Sequence, residues 1–362
     1  MPEKTKKKFS WNIELGGIGR KDILFFTRHL AIAIKNGLTL QDGLEMLYDD
    51  TSKHSFKKVI GEILENIRSG KSFHEGLEKY PKHFSAIYIN LIKTGEMAGT
   101  LEQNLLHLAE ELRKAEELRQ KIKSAMMYPM LIFVAVIGLG LSVALFILPK
   151  ILPLFKSLDV KLPLTTRGLI FVADIFAEHG IKVSIGIIVF AVLFLWFVKQ
   201  KFSQPITHRV VLKLPIVSGI IKNIQVEQFA RTLGTLLNSG ITLDRSLRIT
   251  ADATGNLVYK KAILSFITEV EKGGSMASAM LAYPSLFPKI ASRMVGMGER
   301  TGSLDTTLTY VSQMLADEID NTMKNLSTII EPAMLIFIGL IVAVVAISIL
   351  GPIYKITGSV RQ

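Results

Sequence analysis

The tetrad Ser69-Gly70-Lys71-Ser72 carries the residue types of a phosphate-binding loop. Such a loop offers backbone N–H groups to cradle phosphate, a lysine to neutralise it and a hydroxyl to hold magnesium. The full pattern also needs a glycine five residues before the Gly-Lys pair, and Glu65 stands there. No strand pattern precedes it, so the tetrad reads as a turn that ends one helix and starts the next. The seven histidines show neither nucleophile–base spacing nor ligand spacing. Cysteine is absent, which removes thiol and Cys-metal chemistry. No catalytic residue, cofactor or metal ion is expected.

The polar residues that do form a pattern are the ones that recur. Lys93-Thr-Gly-Glu-Met-Ala-Gly-Thr-Leu101 returns as Gly296-Met-Gly-Glu-Arg-Thr-Gly-Ser-Leu304. Gly95, Glu96 and Gly99 thus reappear as Gly298, Glu299 and Gly302, an offset of 203 residues. The same shift takes Phe26, Arg28, Leu30 and Gly37 to Phe229, Arg231, Leu233 and Gly240. It also takes Tyr80-Pro81 to Tyr283-Pro284, and Pro129 and Pro149 to Pro332 and Pro352. A period that long is a duplicated domain rather than a short-repeat solenoid. Two roles stand open for the motif. Its glycines can supply the positive φ that ends a helix, with Thr100 or Ser303 capping the next. Alternatively, Glu96 and Glu299 are docking acids at equivalent places, with Arg28 and Arg231 as candidate partners.

The elements around these corners read as helical. Leu101, Leu105, Leu108, Leu112, Ala115, Leu118 and Ile122 step by three and four, and Leu304, Leu308, Val311, Leu315 and Ile319 repeat the stripe. Alternating β-branched runs bounded by turns are missing. Each copy is therefore expected to be a compact helical bundle, punctuated at Gly37/Gly240, Gly70/Gly273 and Pro81/Pro284.

Apolar residues make up 49% of the 362, and the mean hydropathy is +0.36. Three runs fit a bilayer core, which takes about 20 apolar residues as helix: Pro129–Leu148, Ile181–Val198 and Pro332–Leu350. Lys182 and Trp196 read as interface anchors of the middle run. Tyr128-Pro129 and Glu331-Pro332 mark the membrane edge, and proline there suits the first turn of a new helix. Glu331 either meets the positive end of that helix or contacts a membrane-embedded partner. Small residues four apart, such as Gly138 and Ser142, allow close helix approach.

The resulting fold class is all-α: a polytopic membrane protein with three transmembrane helices and two homologous cytoplasmic helical-bundle domains. A basic tail occupies 1–20, the first domain 21–128 and the first transmembrane helix 129–149. An external loop follows at 150–180, the second transmembrane helix at 181–198 and the second domain at 199–331. The third transmembrane helix takes 332–351 and a short external tail 352–362. Two crossings put both domains on one face, and without a visible signal peptide that face is expected to be the cytoplasm. The net charge of +12 is spread along the polar segments without a basic, aromatic-interleaved stripe. Contact with membrane lipid is expected, and nucleic acid is not.

Phe26-Thr-Arg-His-Leu with Gly37-Leu-Thr-Leu, Lys93 to Gly99 and Tyr128-Pro129 together resemble a known family. So do Leu162-Pro-Leu-Thr165, Leu214-Pro215, Phe229-Ala-Arg231, Gly298 to Gly302 and Glu331-Pro332. The family is the inner-membrane platform proteins of type IV pilus and type II secretion machines. The likeness covers nearly all the chain after about residue 20, and His29 departs from it, where glutamine is common. The resemblance implies a non-enzymatic scaffold linking a cytoplasmic hexameric assembly or retraction ATPase to pilin or pseudopilin subunits. Other inner-membrane assembly proteins are implied as partners, and a hexameric motor favours a homo-oligomer. The alternative is a small-solute transporter or permease subunit, which would need polar residues facing a midplane cavity, and these runs offer almost none. An intramembrane enzyme is disfavoured because no Ser/His or paired-Asp set lies in them.

Overall fold

A computed structural model describes residues 17–142, 203–214 and 217–359, with scattered positions between 171 and 200. The segment expected to form an external loop and most of the second apolar run lie outside the described residues, as does nearly all of the N-terminal tail. Among the described residues there is no strand.

The first copy contains α1 (Arg20–Lys35), α2 (Leu40–Asp50), α3 (His54–Arg68), α4 (Phe73–Glu78), α5 (Ala86–Ala98) and the long α6 (Leu101–Ser142). A connecting helix, α7 (Gln204–Val211), leads to α8 (Val217–Asn238). Then come α9 (Leu243–Ala253), α10 (Leu257–Glu271), α11 (Met276–Leu281), α12 (Lys289–Thr301) and α13 (Leu304–Ser359). From α2 to α5, every first and last residue has its counterpart 203 positions on. The punctuation explains this agreement. Gly37, Gly70 and Gly99 adopt φ of +90°, +83° and +69°, and Gly240, Gly273 and Gly302 adopt +79°, +81° and +70°. A side chain is disfavoured at such φ, so these glycines stop helices at the same places in both copies. Thr39 accepts a hydrogen bond from the Asp42 N–H at the start of α2, and Ser275 does the same for Ser278 at α11.

The chain divides into two units, one of Met1–Arg119 with Ile221–Ala316 and one of Gln120–Ile220 with Asp317–Gln362. Within the first unit each copy is built round an aromatic cluster. Phe26 meets Phe56 and Phe84, and Phe84 meets Tyr88. Phe229 meets Phe266 and Phe287, and Phe287 meets Tyr259. Burial of such rings is the main source of stability in a small helical bundle. The copies place their rings at different positions: Phe56, Ile63 and Tyr88 correspond to Tyr259, Phe266 and Ala291. Both of these buried tyrosine hydroxyls find a partner, Tyr88 with Thr27 at 2.9 Å and Tyr259 with the Leu286 carbonyl at 2.7 Å. Surface charge follows the same logic. Glu45 pairs with Arg68 across α2 and α3, and in the second copy Arg248 pairs with Glu271. The bridge is duplicated with its polarity reversed.

The expectation that Pro129 and Pro332 begin new helices is corrected. α6 runs unbroken through Pro129 and α13 through Pro332, so the domain stripe and the apolar run form one rod in each copy. Proline's fixed φ, about −65°, is already helical, and the turns on either side propagate through their own hydrogen bonds. α13 also continues past Leu350 to Ser359. Among the described residues, one helix is long and apolar enough to cross a membrane, over Leu101–Leu139, and none of its apolar stretch is buried within the protein. In α13, Leu335, Ile336, Phe337 and Leu340 are likewise exposed.

Candidate functional site

Glu96 and Glu299 face inward, each onto the start of the short helix that precedes its own. The Phe73 N–H donates to Glu96 Oε1 at 2.6 Å and the His74 N–H to Oε2 at 2.9 Å, with His74 Nδ1 2.6 Å from Oε2. In the second copy the Met276 N–H donates to Glu299 Oε1 at 2.5 Å. The Ala277 N–H and the Ser275 hydroxyl donate to Oε2 at 3.0 and 2.6 Å. A six-residue helix has mostly unsatisfied N–H groups, so a carboxylate held against its N-terminus supplies what its own residues lack.

The glycines make that placement possible. A Cβ at Gly95 would lie 2.9 Å from Asn104 Nδ2 and 3.0 Å from Leu101 Cα; at Gly298 it would lie 2.6 Å from Thr307 Oγ1 and 3.2 Å from Leu304 Cα. Gly99 and Gly302 then turn the chain in left-handed conformation. Each Gly-Glu motif is thus a corner at which α5 meets α6, or α12 meets α13, while its acid ties down α4 or α11. The Ser69-Gly70-Lys71-Ser72 turn belongs to the same construction. Gly70 ends α3, the Lys71 N–H donates to the Asn66 carbonyl, and Ser72 caps α4.

Neither arginine reaches the acid expected for it. Arg231 Nε lies 2.9 Å from Glu227 Oε1, and its Nη1 lies 3.9 Å from Glu111 Oε2. Arg28 is exposed on α1, near Glu110. The reason is which way each side chain points: Arg231 lies on the α8 face turned to α6, whereas Glu299 is held by α11. Ser312 donates to Glu227 at 3.2 Å, so residues of both copies meet in one buried polar cluster. Burial pushes the Glu111 carboxyl above its ordinary value of 4.5, against the opposing pull of Arg231 and Lys114. Glu111 and Glu227 escape detection by recurrence because their counterparts are Met314 and Leu24. The usable signal is the opposite one, a charge standing where the other copy is apolar.

The residues expected at the membrane edge sit within the two long helices. Tyr128 is exposed in α6 beside Pro129, and the backbone of Glu331 and Pro332 is part of α13. Among the described residues no group of three His, Cys, Asp or Glu side chains comes together as a metal site.

Comparison with known proteins accounts for both halves. The model of the family "Type II secretion system (T2SS), protein F" matches residues 26–149 and again 229–352. The chain is 33% identical over 343 residues to the type IV pilus assembly protein PilC of Thermus thermophilus, covering 95% of this chain and 84% of that one. It is 31% identical over 365 residues to the PilC of Myxococcus xanthus, with 99% and 87% covered. To the type II secretion system protein F of Vibrio cholerae it is 25% identical over 339 residues, with 94% and 83% covered. Two tandem matches and relatives aligned over most of their length establish that the chain belongs to the T2SS protein F family and carries its domain twice.

Proposed function

We propose that this protein is a non-enzymatic inner-membrane platform of a type IV pilus or type II secretion assembly machine. It would span the membrane three times with both helical domains in the cytoplasm, and would couple a cytoplasmic ATPase to the insertion or extraction of pilin subunits. The observation that carries the reading is the duplicated rod. In each copy one helix begins in a packed bundle and continues without a break into an exposed apolar stretch. A continuous helix offers a path along which displacement of the bundle reaches the membrane segment. The relatives named above, pilus assembly and type II secretion proteins, support the same reading.

The test is capture of tagged full-length chain from inner membranes, with identification of what is retained, beside deletion of the gene. An assembly ATPase and pilin or pseudopilin should be retained, and surface filaments or secretion should be lost on deletion. Retention of neither, with filaments and secretion intact in the deletion strain, would refute the proposal.

A further inference from the structure

The two copies meet through unlike faces. α9 of the second copy packs on α5 of the first. Ile241 and Ile249, 6% and 7% exposed, join the apolar core of the first copy, and Arg245 Nη2 donates to Asn90 Oδ1 at 3.1 Å. A two-fold arrangement of equivalent domains would also place α2 of the first copy on α12 of the second. Instead both of those faces are open. Leu38 and Met46, the counterparts of Ile241 and Ile249, are 41% and 43% exposed. On α12, Ile290 and Met297 are 54% and 51% exposed, and a groove of about 730 Å³ runs beside Arg293 and Met297. The contact is head-to-tail, and a head-to-tail contact leaves one unused face of each kind at the ends of the pair.

The open faces retain what the buried contact uses. Leu38 and Met46 keep apolar character at the two positions that Ile241 and Ile249 bury. At the polar centre, Arg245 and Asn90 correspond to Asp42 and Arg293, both exposed. If the same contact formed again, it would bring an acid against a base. We propose that the open α2 face of one chain docks on the open α12 face of a second copy, with Asp42 against Arg293. The intrachain contact is thereby repeated between chains into a ring or an open string. This holds whatever the chain assembles, because it rests on the seam between its own halves.

The experiment uses the full-length chain in nanodiscs or mild detergent, with size distribution followed over a concentration series. Asp42→Arg and Arg293→Asp should each weaken self-association by on the order of tenfold or more, through juxtaposed like charges. The double variant should restore it. Asp42 also accepts from the Thr39 hydroxyl at 2.6 Å, so Asp42→Arg should lower melting slightly. Arg293→Asp, at an exposed residue, should leave helical content and melting at the unmodified values, which separates lost association from lost folding. The chain has no native cysteine, so a Met46→Cys chain mixed with a Met297→Cys chain should cross-link as a mixed pair under a short bis-maleimide. A monomer at every concentration, unchanged association in both single variants, or cross-links only between like chains would overturn the proposal. So would protection of Met46→Cys from maleimide in unmixed monomer that is relieved by deleting residues 1–16, which would assign the face to the chain's own N-terminal segment.

Discussion

Glu96→Ala removes an acceptor that serves two backbone N–H groups of α4 at 2.6 and 2.9 Å. Its side chain is 18% exposed, so solvent screens the interaction only in part. A hydrogen bond to a charged group contributes about 1.5–3 kcal/mol, and a charge at a helix N-terminus about 0.3–1 kcal/mol. Water reaches part of the vacated site and recovers some of that, leaving a net loss of about 2–4 kcal/mol. α4 has six residues, too few to persist without such support. The loss should therefore appear first as local opening of α4 and only then as global unfolding. Hydrogen–deuterium exchange on the full-length chain, read by mass spectrometry, checks this. Amides of Phe73 to Leu77 should exchange about 30- to 1,000-fold faster, at about 1.4 kcal/mol per decade. The equivalent amides of α11 should be unchanged. Glu299→Ala should give the reverse pattern, and Glu96→Gln, which keeps one acceptor oxygen, should fall between. Unchanged exchange in α4 on Glu96→Ala would refute the assignment of the corner's acid to that helix.

Gly95→Ala places a methyl against Leu101 Cα and Asn104 and should lower stability by about 1–3 kcal/mol, seen in thermal melts of the purified chain. Arg231→Ala leaves Glu227, nearly fully buried, beside Glu111 with only Lys114, 3.7 Å from Glu111, as a neighbouring cation. It should cost about 3 kcal/mol, while Glu227→Gln in the same chain should recover part of it. Glu111 sets a pH dependence. Its carboxyl is raised above 4.5 by burial, against Arg231, so the native state holds the proton more tightly than the unfolded chain does. Stability contributed by this group falls as pH rises from about 4.5 through the raised value. Glu111→Gln should flatten that part of a stability–pH profile. Asp22 acts with the opposite sign. Burial would raise its carboxyl, but bonds from Lys53 and the Gly19 N–H outweigh that and hold it below the ordinary 3.8. Its contribution is present above that pH and is lost as pH falls through the lowered value, a loss that Lys53→Met should abolish.

Much of the fold was readable because it is written in local chemistry. A glycine at Gly37 or Gly240 permits positive φ whatever surrounds it, and Thr39 needs only its own next turn to cap α2. The proline joints misled for the same reason. Pro129 carries a local preference for a helix start, yet the rod around it is long enough to run through. The candidate pairing of Arg28 and Arg231 with the corner acids failed because partner choice depends on the direction of a side chain from a helix face, which recurrence does not encode. The reversed bridges, Glu45–Arg68 and Arg248–Glu271, teach the same point. At a single position the offset reports only a change of charge, and the contact reveals that two changes compensate.

From the residues alone came the duplication, the helical class, the three apolar runs and the glycine corners, all properties of spacing within one segment. Only the tertiary structure separated Ile241 from Leu38 and Ile249 from Met46. The pairs are alike in chemistry, but one of each is buried at the seam and the other stands open. Burial belongs to two surfaces together, and no window along a single chain contains both.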